Sequence, residues 1–120
     1  MAKQLKHIQV SHEGGVVLVR LLDNHILDEL MIREIGEELD QVLAEAPSPH
    51  MVLDFSDVAH LSSSALGMLI TLNNRVKEAG GALCLAAIDG PILEVFRITK
   101  LDRIFEIRES VADARTAVQG

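Results

Sequence analysis

The stretch HMVLDFSDVAHLSSSALGMLITL, residues 50–72, decides the fold of this chain. Its first six residues form a short apolar run, which is typical of a strand buried on both faces of a parallel sheet. After three serines, apolar side chains return at the spacing of a helix face. This face comprises Leu66, Leu69, Ile70, Asn73 and Val76. The stretch therefore predicts a buried strand, a serine-containing loop and an amphipathic helix.

The chain after this stretch continues to alternate strands and helices. AGG at residues 79–81 predicts a helix end at glycine, and ALCLAAI, residues 82–88, predicts a second buried strand. PILEVFRITK, residues 91–100, has the proline typical of a helix start. LDRIFEI, residues 101–107, predicts a last strand, and SVADARTAV, residues 110–118, predicts a helix capped by its first serine. This alternation predicts right-handed crossovers between parallel strands.

The chain before this stretch predicts a hairpin and a long helix. LKHIQV, residues 5–10, and VVLVRLL, residues 16–22, are strand-like and flank the turn-like SHEGG. A helical pattern follows and is ended by PSP at residues 47–49, while its acidic side chains indicate a solvated face. Its apolar face is predicted to contain Leu27, Leu30, Met31, Ile35, Leu39, Val42 and Leu43. We expect an α/β fold in one domain of residues 1–120, with a mixed, largely parallel sheet of four to five strands and about four helices.

Composition limits the classes of partner. Eighteen acidic and eleven basic residues give a net charge of -7, which disfavours binding to nucleic acid or to an anionic membrane. No apolar run approaches the length of a membrane span, and the first ten residues lack a signal-peptide core, so we expect a cytoplasmic protein. Cys84 is the single cysteine and lies in an apolar run, which favours a place in the core. Proteins or small molecules are the expected partners.

Patterns of catalysis and cofactor binding are missing from the sequence. The five histidines do not occur at the spacing of a helical metal site, and no glycine-rich phosphate loop is present, so we expect no metal and no cofactor. The serines lack the flanking glycines of a hydrolase elbow, which disfavours catalysis by Ser63 and the nearby His60. Asp54 follows a strand, as the phosphoacceptor of a receiver domain does, but the paired acids that would hold magnesium are absent. We therefore interpret Asp54 as a loop residue whose carboxylate accepts backbone N–H groups, and we expect no enzyme activity.

The sequence has three serines, Ser62, Ser63 and Ser64, where a helix start requires only one capping residue. A serine before a helix caps it by accepting one backbone N–H, and one cap needs one serine. They also lie at the carboxyl end of a buried strand, where α/β sheets present functional groups.

The sequence resembles the STAS domain of bacterial anti-sigma-factor antagonists. VLDFSDVAHLSSSALGMLI, residues 52–70, is similar to the central family signature, and PILEVFRITKLDRIFEI, residues 91–107, is similar to its closing segment. The resemblance implies a non-enzymatic binding protein. Its partners would be an anti-sigma factor that is also a serine kinase, and a protein phosphatase. It also implies that phosphorylation ends binding to the anti-sigma factor.

The resemblance also assigns roles to residues. The phosphoacceptor position is Ser63, with Ser62 and Ser64 as secondary candidates, and Gly67 matches the second glycine of the signature. Ser62 replaces a family aspartate, Ala65 replaces the first glycine, and Lys100 replaces a glycine of the closing segment. Partner contacts are expected at His60, Ser62, Ser64, Asn24 and Asp89.

One alternative role remains open at this point. The chain could instead be a phosphorylation-independent STAS subunit of a signalling scaffold or of a lipid-transport complex, with the serines only capping the helix. Weak self-association is compatible with either role.

Overall fold

The computed structural model describes residues 2–119, which form an α/β fold. The elements in chain order are β1 Ala2–Gln4, β2 Ile8–Glu13, β3 Val16–Leu21, β4 His25–Ile26, α1 Glu29–Ala44, β5 His50–Asp54, β6 His60–Leu61, α2 Ser63–Glu78, β7 Ala82–Ala86, α3 Gly90–Ile98, a 3-10 turn Leu101–Arg103, β8 Glu106–Arg108 and α4 Val111–Gln119. Within this part of the chain no helix is both long and apolar enough to cross a bilayer.

The main sheet has six strands in the order β1-β2-β3-β5-β7-β8. β1, β2 and β3 are antiparallel neighbours, whereas β3, β5, β7 and β8 run parallel. The short strands β4 and β6 form a separate parallel pair. The predicted fold class, a mixed and largely parallel sheet with four helices, is confirmed.

The sheet has more strands than the predicted four to five because Ala2–Gln4, which precedes LKHIQV, forms the additional strand β1. The backbone N–H of Leu5 donates to the carbonyl of Ile8 (2.8 Å), which makes a turn between β1 and β2. β2 then continues through the predicted SHEGG turn as far as Glu13, which pairs with Val16. Only Gly14 and Gly15, both with positive φ, reverse the chain.

Two apolar clusters cover the two faces of the sheet. The larger lies under α1, α2 and α3 and contains the fully buried Phe55 and Phe96. The smaller lies under α4 and includes Val52, Val118 and Cys84. Cys84 is fully buried, so it is a core residue, as predicted, and this burial raises the pKa of its thiol to about 11.

The predicted apolar face of α1 is wrong at its beginning. Asp28 is the N-cap and accepts the backbone N–H of Met31 (3.0 Å), so Leu27 lies outside the helix in extended chain. Leu30 is two residues from Ile32 and points about 200° away from it around the helix. Leu27 and Leu30 are therefore 52% and 59% exposed. The buried face consists of Ile32, Ile35, Leu39 and Val42.

The closing segment LDRIFEI also differs from the single strand predicted. Its first three residues form the 3-10 turn, because Leu101 and Phe105 are buried four residues apart, a spacing that suits a helical turn. Lys100 enters this turn with φ 62°, the left-handed conformation that favours glycine, at the position where the STAS closing segment has glycine. Farther along, Ser110 accepts the backbone N–H of Asp113 (3.1 Å), which confirms its predicted cap.

Candidate functional site

The loops at the carboxyl ends of β3 and β5 are joined by backbone hydrogen bonds. The carbonyl of Asn24 accepts the N–H groups of Ala59 (2.8 Å) and His60 (3.1 Å). The carbonyl of Ile26 accepts the N–H of Ser62 (3.1 Å), and β4 pairs in register with β6. These contacts bring two distant segments together. We name their exposed surface, formed by Asn24, His25, Leu27, Leu30, His60 and residues 62–64, the serine surface.

Only one of the three serines caps α2. Ser62 has extended backbone angles, and its Oγ accepts the N–H of Ala65 (3.2 Å), while its carbonyl accepts the N–H of Leu66 (3.1 Å). Ser63 and Ser64 are the first two helical residues, and both are exposed. Neither of their hydroxyls bonds to another residue in the described part of the chain. Capping therefore accounts for Ser62 and leaves two hydroxyl groups free to react.

Asn24 and His60 lie together on this surface. Beyond the backbone contact between them, the Asn24 side chain donates to the carbonyl of Asp57 (3.0 Å). Asp57 is in turn paired with Arg20 (2.8 Å). The exposed ring of His60 stacks on His25, with ring centroids 4.6 Å apart and an interplanar angle of 13°. The surface is thus held in shape by contacts outside the serines themselves.

The two predicted aspartates are found in structural roles. Asp89, a predicted partner contact, is the N-cap of α3, and its carboxylate accepts the N–H of Ile92 (3.0 Å). It follows β7 at the same end of the sheet, but no hydrogen bond in residues 2–119 joins it to the serine surface. The Asp54 carboxylate accepts the N–H of Ser56 (2.9 Å), which confirms the predicted contact with the backbone, although Asp54 is the last residue of β5 and not a loop residue.

Leu27 and Leu30 belong to the serine surface, although the sequence predicted them to lie in the core. Leu27 directly follows Ile26, whose carbonyl holds the serine loop, and Leu30 lies in the first turn of α1. Their exposure could have been predicted from their angular position around the helix, because they do not fit the periodicity of the other apolar residues of α1. They add an apolar contact area to a surface that otherwise has only polar groups.

The charges around the serine surface are mixed. Arg20 is paired with Asp57 (2.8 Å), and Arg33 follows Leu30 by three residues on α1. The acids in residues 21–32 and 54–74, which build the surface, are Asp23, Asp28, Glu29, Asp54 and Asp57. The exposed side chains of Leu27 and Leu30, rather than a net charge, therefore distinguish this surface. Within residues 2–119 the structure shows no cluster of three or more potential metal ligands, at this surface or elsewhere.

The candidate site is thus a pair of exposed hydroxyls at the start of α2, on a mixed sheet with α1 to α3 on one face and α4 on the other. The chain belongs to the STAS domain family, which it matches over residues 7–114. The resemblance inferred from the central signature is therefore confirmed.

Three comparisons extend over nearly the whole chain. The anti-sigma F factor antagonist of Paenibacillus polymyxa is 25% identical over 115 residues, which are 93% of this chain and 94% of that protein. The crystal structure of an anti-sigma factor antagonist from Mycobacterium paratuberculosis has a TM-score of 0.80 at 27% identity and covers 94% of this chain and 93% of that one. The Bacillus cell fate determinant SpoIIAA in its phosphorylated form shares the fold, with a TM-score of 0.66 at 14% identity, covering 92% of this chain and 98% of that one.

Proposed function

We propose that this protein is an anti-sigma factor antagonist, a binding protein rather than an enzyme, that is controlled by phosphorylation of Ser63. In this role it binds an anti-sigma factor through the serine surface and so frees a sigma factor. The observation that carries the proposal is that Ser62 and Ser63 have different structural roles. Ser62 caps α2, whereas the hydroxyl of Ser63 is exposed and unbonded at the first helical position.

The relatives support the binding role. The Paenibacillus polymyxa protein, which aligns with nearly the whole chain, is named an antagonist of an anti-sigma factor. SpoIIAA, which shares the fold, has been solved in a phosphorylated form, so this architecture is compatible with a phosphate. The kinase that modifies Ser63 would be the anti-sigma factor itself. A protein phosphatase would restore the free hydroxyl, in a cycle located in the cytoplasm.

A phosphate on Ser63 would leave the helix intact. It adds about -1.5 to -2 charges at the amino end of α2, where unpaired N–H groups and the helix dipole favour an anion. That interaction is typically worth about 0.3 to 1 kcal/mol. The fold is therefore expected to tolerate the modification, and the consequence of phosphorylation is confined to the surface.

The phosphate is expected to lower the affinity for the partner. A partner that packs against Leu27 and Leu30 must remove water from the adjoining helix start, and removing water from a phosphate is costly. A loss of about 1.4 kcal/mol lowers the affinity tenfold. The phosphate is therefore expected to act through the apolar contact. Ser64 is the second candidate acceptor because it is exposed, whereas the hydroxyl of Ser62 is used in the cap.

The proposal is tested with purified anti-sigma factors of the same organism. Incubation with a cognate factor and ATP is expected to add one phosphate, which mass spectrometry locates on Ser63 and which Ser63→Ala abolishes. Ser64→Ala is the matched control and should still be phosphorylated. In a binding titration, Ser63→Asp should weaken the complex by about tenfold or more.

The alternative role has a different outcome. If Ser63→Asp binds as tightly as the unaltered protein and no phosphate is added, the chain acts as a phosphorylation-independent subunit of a larger assembly. If it binds no anti-sigma factor at all, the proposed function is wrong.

A further inference from the structure

His7 is a buried histidine that the proposed switch does not use. Its side chain is 6% exposed and lies in the turn between β1 and β2. Nδ1 lies 2.7 Å from a carboxylate oxygen of Asp23, in the loop after β3. Nε2 lies 3.0 Å from a carboxylate oxygen of Glu34, on α1. One imidazole ring thus joins three separate parts of the chain.

The hydrogen-bond chemistry of this contact requires a charged histidine. An ionised carboxylate only accepts hydrogen bonds, and a neutral imidazole has a single N–H to donate. With a carboxylate on each ring nitrogen, both bonds are made only when both nitrogens carry a proton. The geometry therefore selects the imidazolium form of His7, with Asp23 and Glu34 as its two acceptors.

The charged groups around His7 favour the same form. From its own turn, Lys6 pairs with Glu34 (3.1 Å). From α1, Glu38 accepts the backbone N–H groups of Lys6 (3.1 Å) and His7 (2.9 Å). Burial alone would lower the pKa of His7, but the hydrogen bonds with Glu34 and Asp23 outweigh it and raise that pKa. The pKa of the Glu34 carboxyl is lowered by His7 and Lys6.

Loss of the proton would release one of the two carboxylates. Glu34 is fixed on α1 and keeps its contact with Lys6. Asp23 lies in a loop and is 25% exposed, so it can turn to water at little cost. Asp23 is therefore the partner expected to leave. The next residue is Asn24, whose carbonyl holds the N–H groups of Ala59 and His60.

We propose that the proton on His7 acts as a latch that holds residues 22–27 in place and so maintains the serine surface in its binding conformation. This inference rests on the proposed function and adds a form of regulation to the same surface. Binding to an anti-sigma factor is then strongest at acidic to neutral pH and weakens as the pH rises.

The sign of the pH effect follows from the folded state. A histidine whose pKa is raised on folding contributes its full stabilisation below the unfolded pKa, about 6.5. That contribution is lost as the pH rises through the higher folded value. The stability of the free protein and the order of residues 22–27 should decrease together over this interval.

The first test uses the chain alone. NMR would follow the His7 ring and the exchange protection of the Ala59 and His60 amides from about pH 6 to about pH 9, with rates corrected for intrinsic exchange. Protection of both amides is expected to fall about fivefold or more as His7 loses its proton. In Asp23→Asn, the amide side chain can accept a hydrogen bond from protonated His7 or donate one to the neutral ring. This variant should therefore keep the loop ordered in both states and remove most of the pH dependence. His12→Gln, at an exposed histidine, is the matched control and should retain it.

The second test measures binding of a purified anti-sigma factor at the same pH values. The affinity of the unaltered protein should be lower by about fivefold or more at about pH 9 than at about pH 6. Asp23→Asn should remove most of this difference. Unchanged amide protection through the His7 titration would overturn the latch, whether or not the partner binds. A pH-dependent loop in a chain that binds no anti-sigma factor would support the latch and disprove the proposed function.

Discussion

The two ends of the parallel strands differ in how closely their backbones pack. At the amino end, the carbonyl of Pro49 accepts the N–H of Ala82 (2.9 Å), and a Cβ on Gly81 would lie 1.9 Å from that oxygen. Gly80, beside it, has φ 76°. We name this site, Ser48–Pro49 with Gly80–Gly81, the glycine corner. The serine surface at the carboxyl end instead has exposed side chains, and a Cβ on Gly67, three residues beyond it in α2, would meet nothing within 4 Å.

This difference separates a site that the core needs for stability from the surface at which we propose partner binding. The glycine corner joins the end of α2 to the starts of β5 and β7, so a change there disturbs the core on both sides. The serine surface is shaped by backbone bonds and presents side chains that the core does not need. Parallel sheets place ligands at the carboxyl ends of their strands for the same reason, since the loops there can vary without altering the packed layers.

The largest effect is expected at the glycine corner. Gly81→Ala forces a methyl group against a backbone carbonyl that cannot move independently, which should lower the free energy of unfolding by about 3 kcal/mol. Thermal denaturation should show a melting temperature lower by about 10 °C or more. The matched control is Gly67→Ala, where nothing lies within 4 Å and the helix should gain about 0.5 to 1 kcal/mol. Equal melting temperatures for the two variants would contradict the difference between the two ends.

An intermediate effect on binding is expected at the serine surface. Leu30→Gln removes an exposed apolar side chain and should weaken binding to an anti-sigma factor about tenfold, which corresponds to about 1.4 kcal/mol. The free energy of unfolding should change by less than about 0.5 kcal/mol. Isothermal titration and urea denaturation measure the two quantities.

Ile98→Gln is the control for this variant. Ile98 is 72% exposed at the end of α3, outside the serine surface, so its replacement should change neither quantity. Equal losses of affinity in both variants would remove Leu30 from the binding site.

The smallest effect distinguishes neighbouring serines. Ser62→Ala removes the cap of α2 and should lower the free energy of unfolding by about 1 kcal/mol. Ser63→Ala removes an unbonded hydroxyl and should change it by less than about 0.5 kcal/mol. Urea denaturation of both variants gives the comparison. A larger loss for Ser63→Ala would mean that Ser63, and not Ser62, supports the helix.

Much of the fold was predictable because buried strands and amphipathic helices leave local patterns. The apolar run before Asp54 and the helical spacing from Leu66 onward predicted β5 and α2, and the fold class followed from the alternation. Predictions were wrong where local pattern and packing diverge. Leu30 is apolar but faces away from the core, and LKHIQV is strand-like but turns at Leu5.

The site was predictable only in part. The position of the serines at the carboxyl end of a strand, and their excess over one cap, selected residues 62–64 from the sequence. Which serine caps depends on where the helix begins, and a boundary of one residue is beyond what periodicity resolves. Asn24 and His60 are far apart in the chain, so their contact could not be read from either segment alone.

Short-range patterns of apolar, capping and turn residues were sufficient to predict the α/β class, the family and the stretch that carries the three serines. Only the tertiary structure shows that Ser62 caps α2 while the hydroxyl of Ser63 makes no hydrogen bond within residues 2–119. It also shows that Leu27 and Leu30 are exposed beside the serines. It also decided that His7 meets Asp23 and Glu34. These last features depend on contacts between segments distant in the chain, and the strength of such contacts comes from burial and charge proximity that no local pattern encodes.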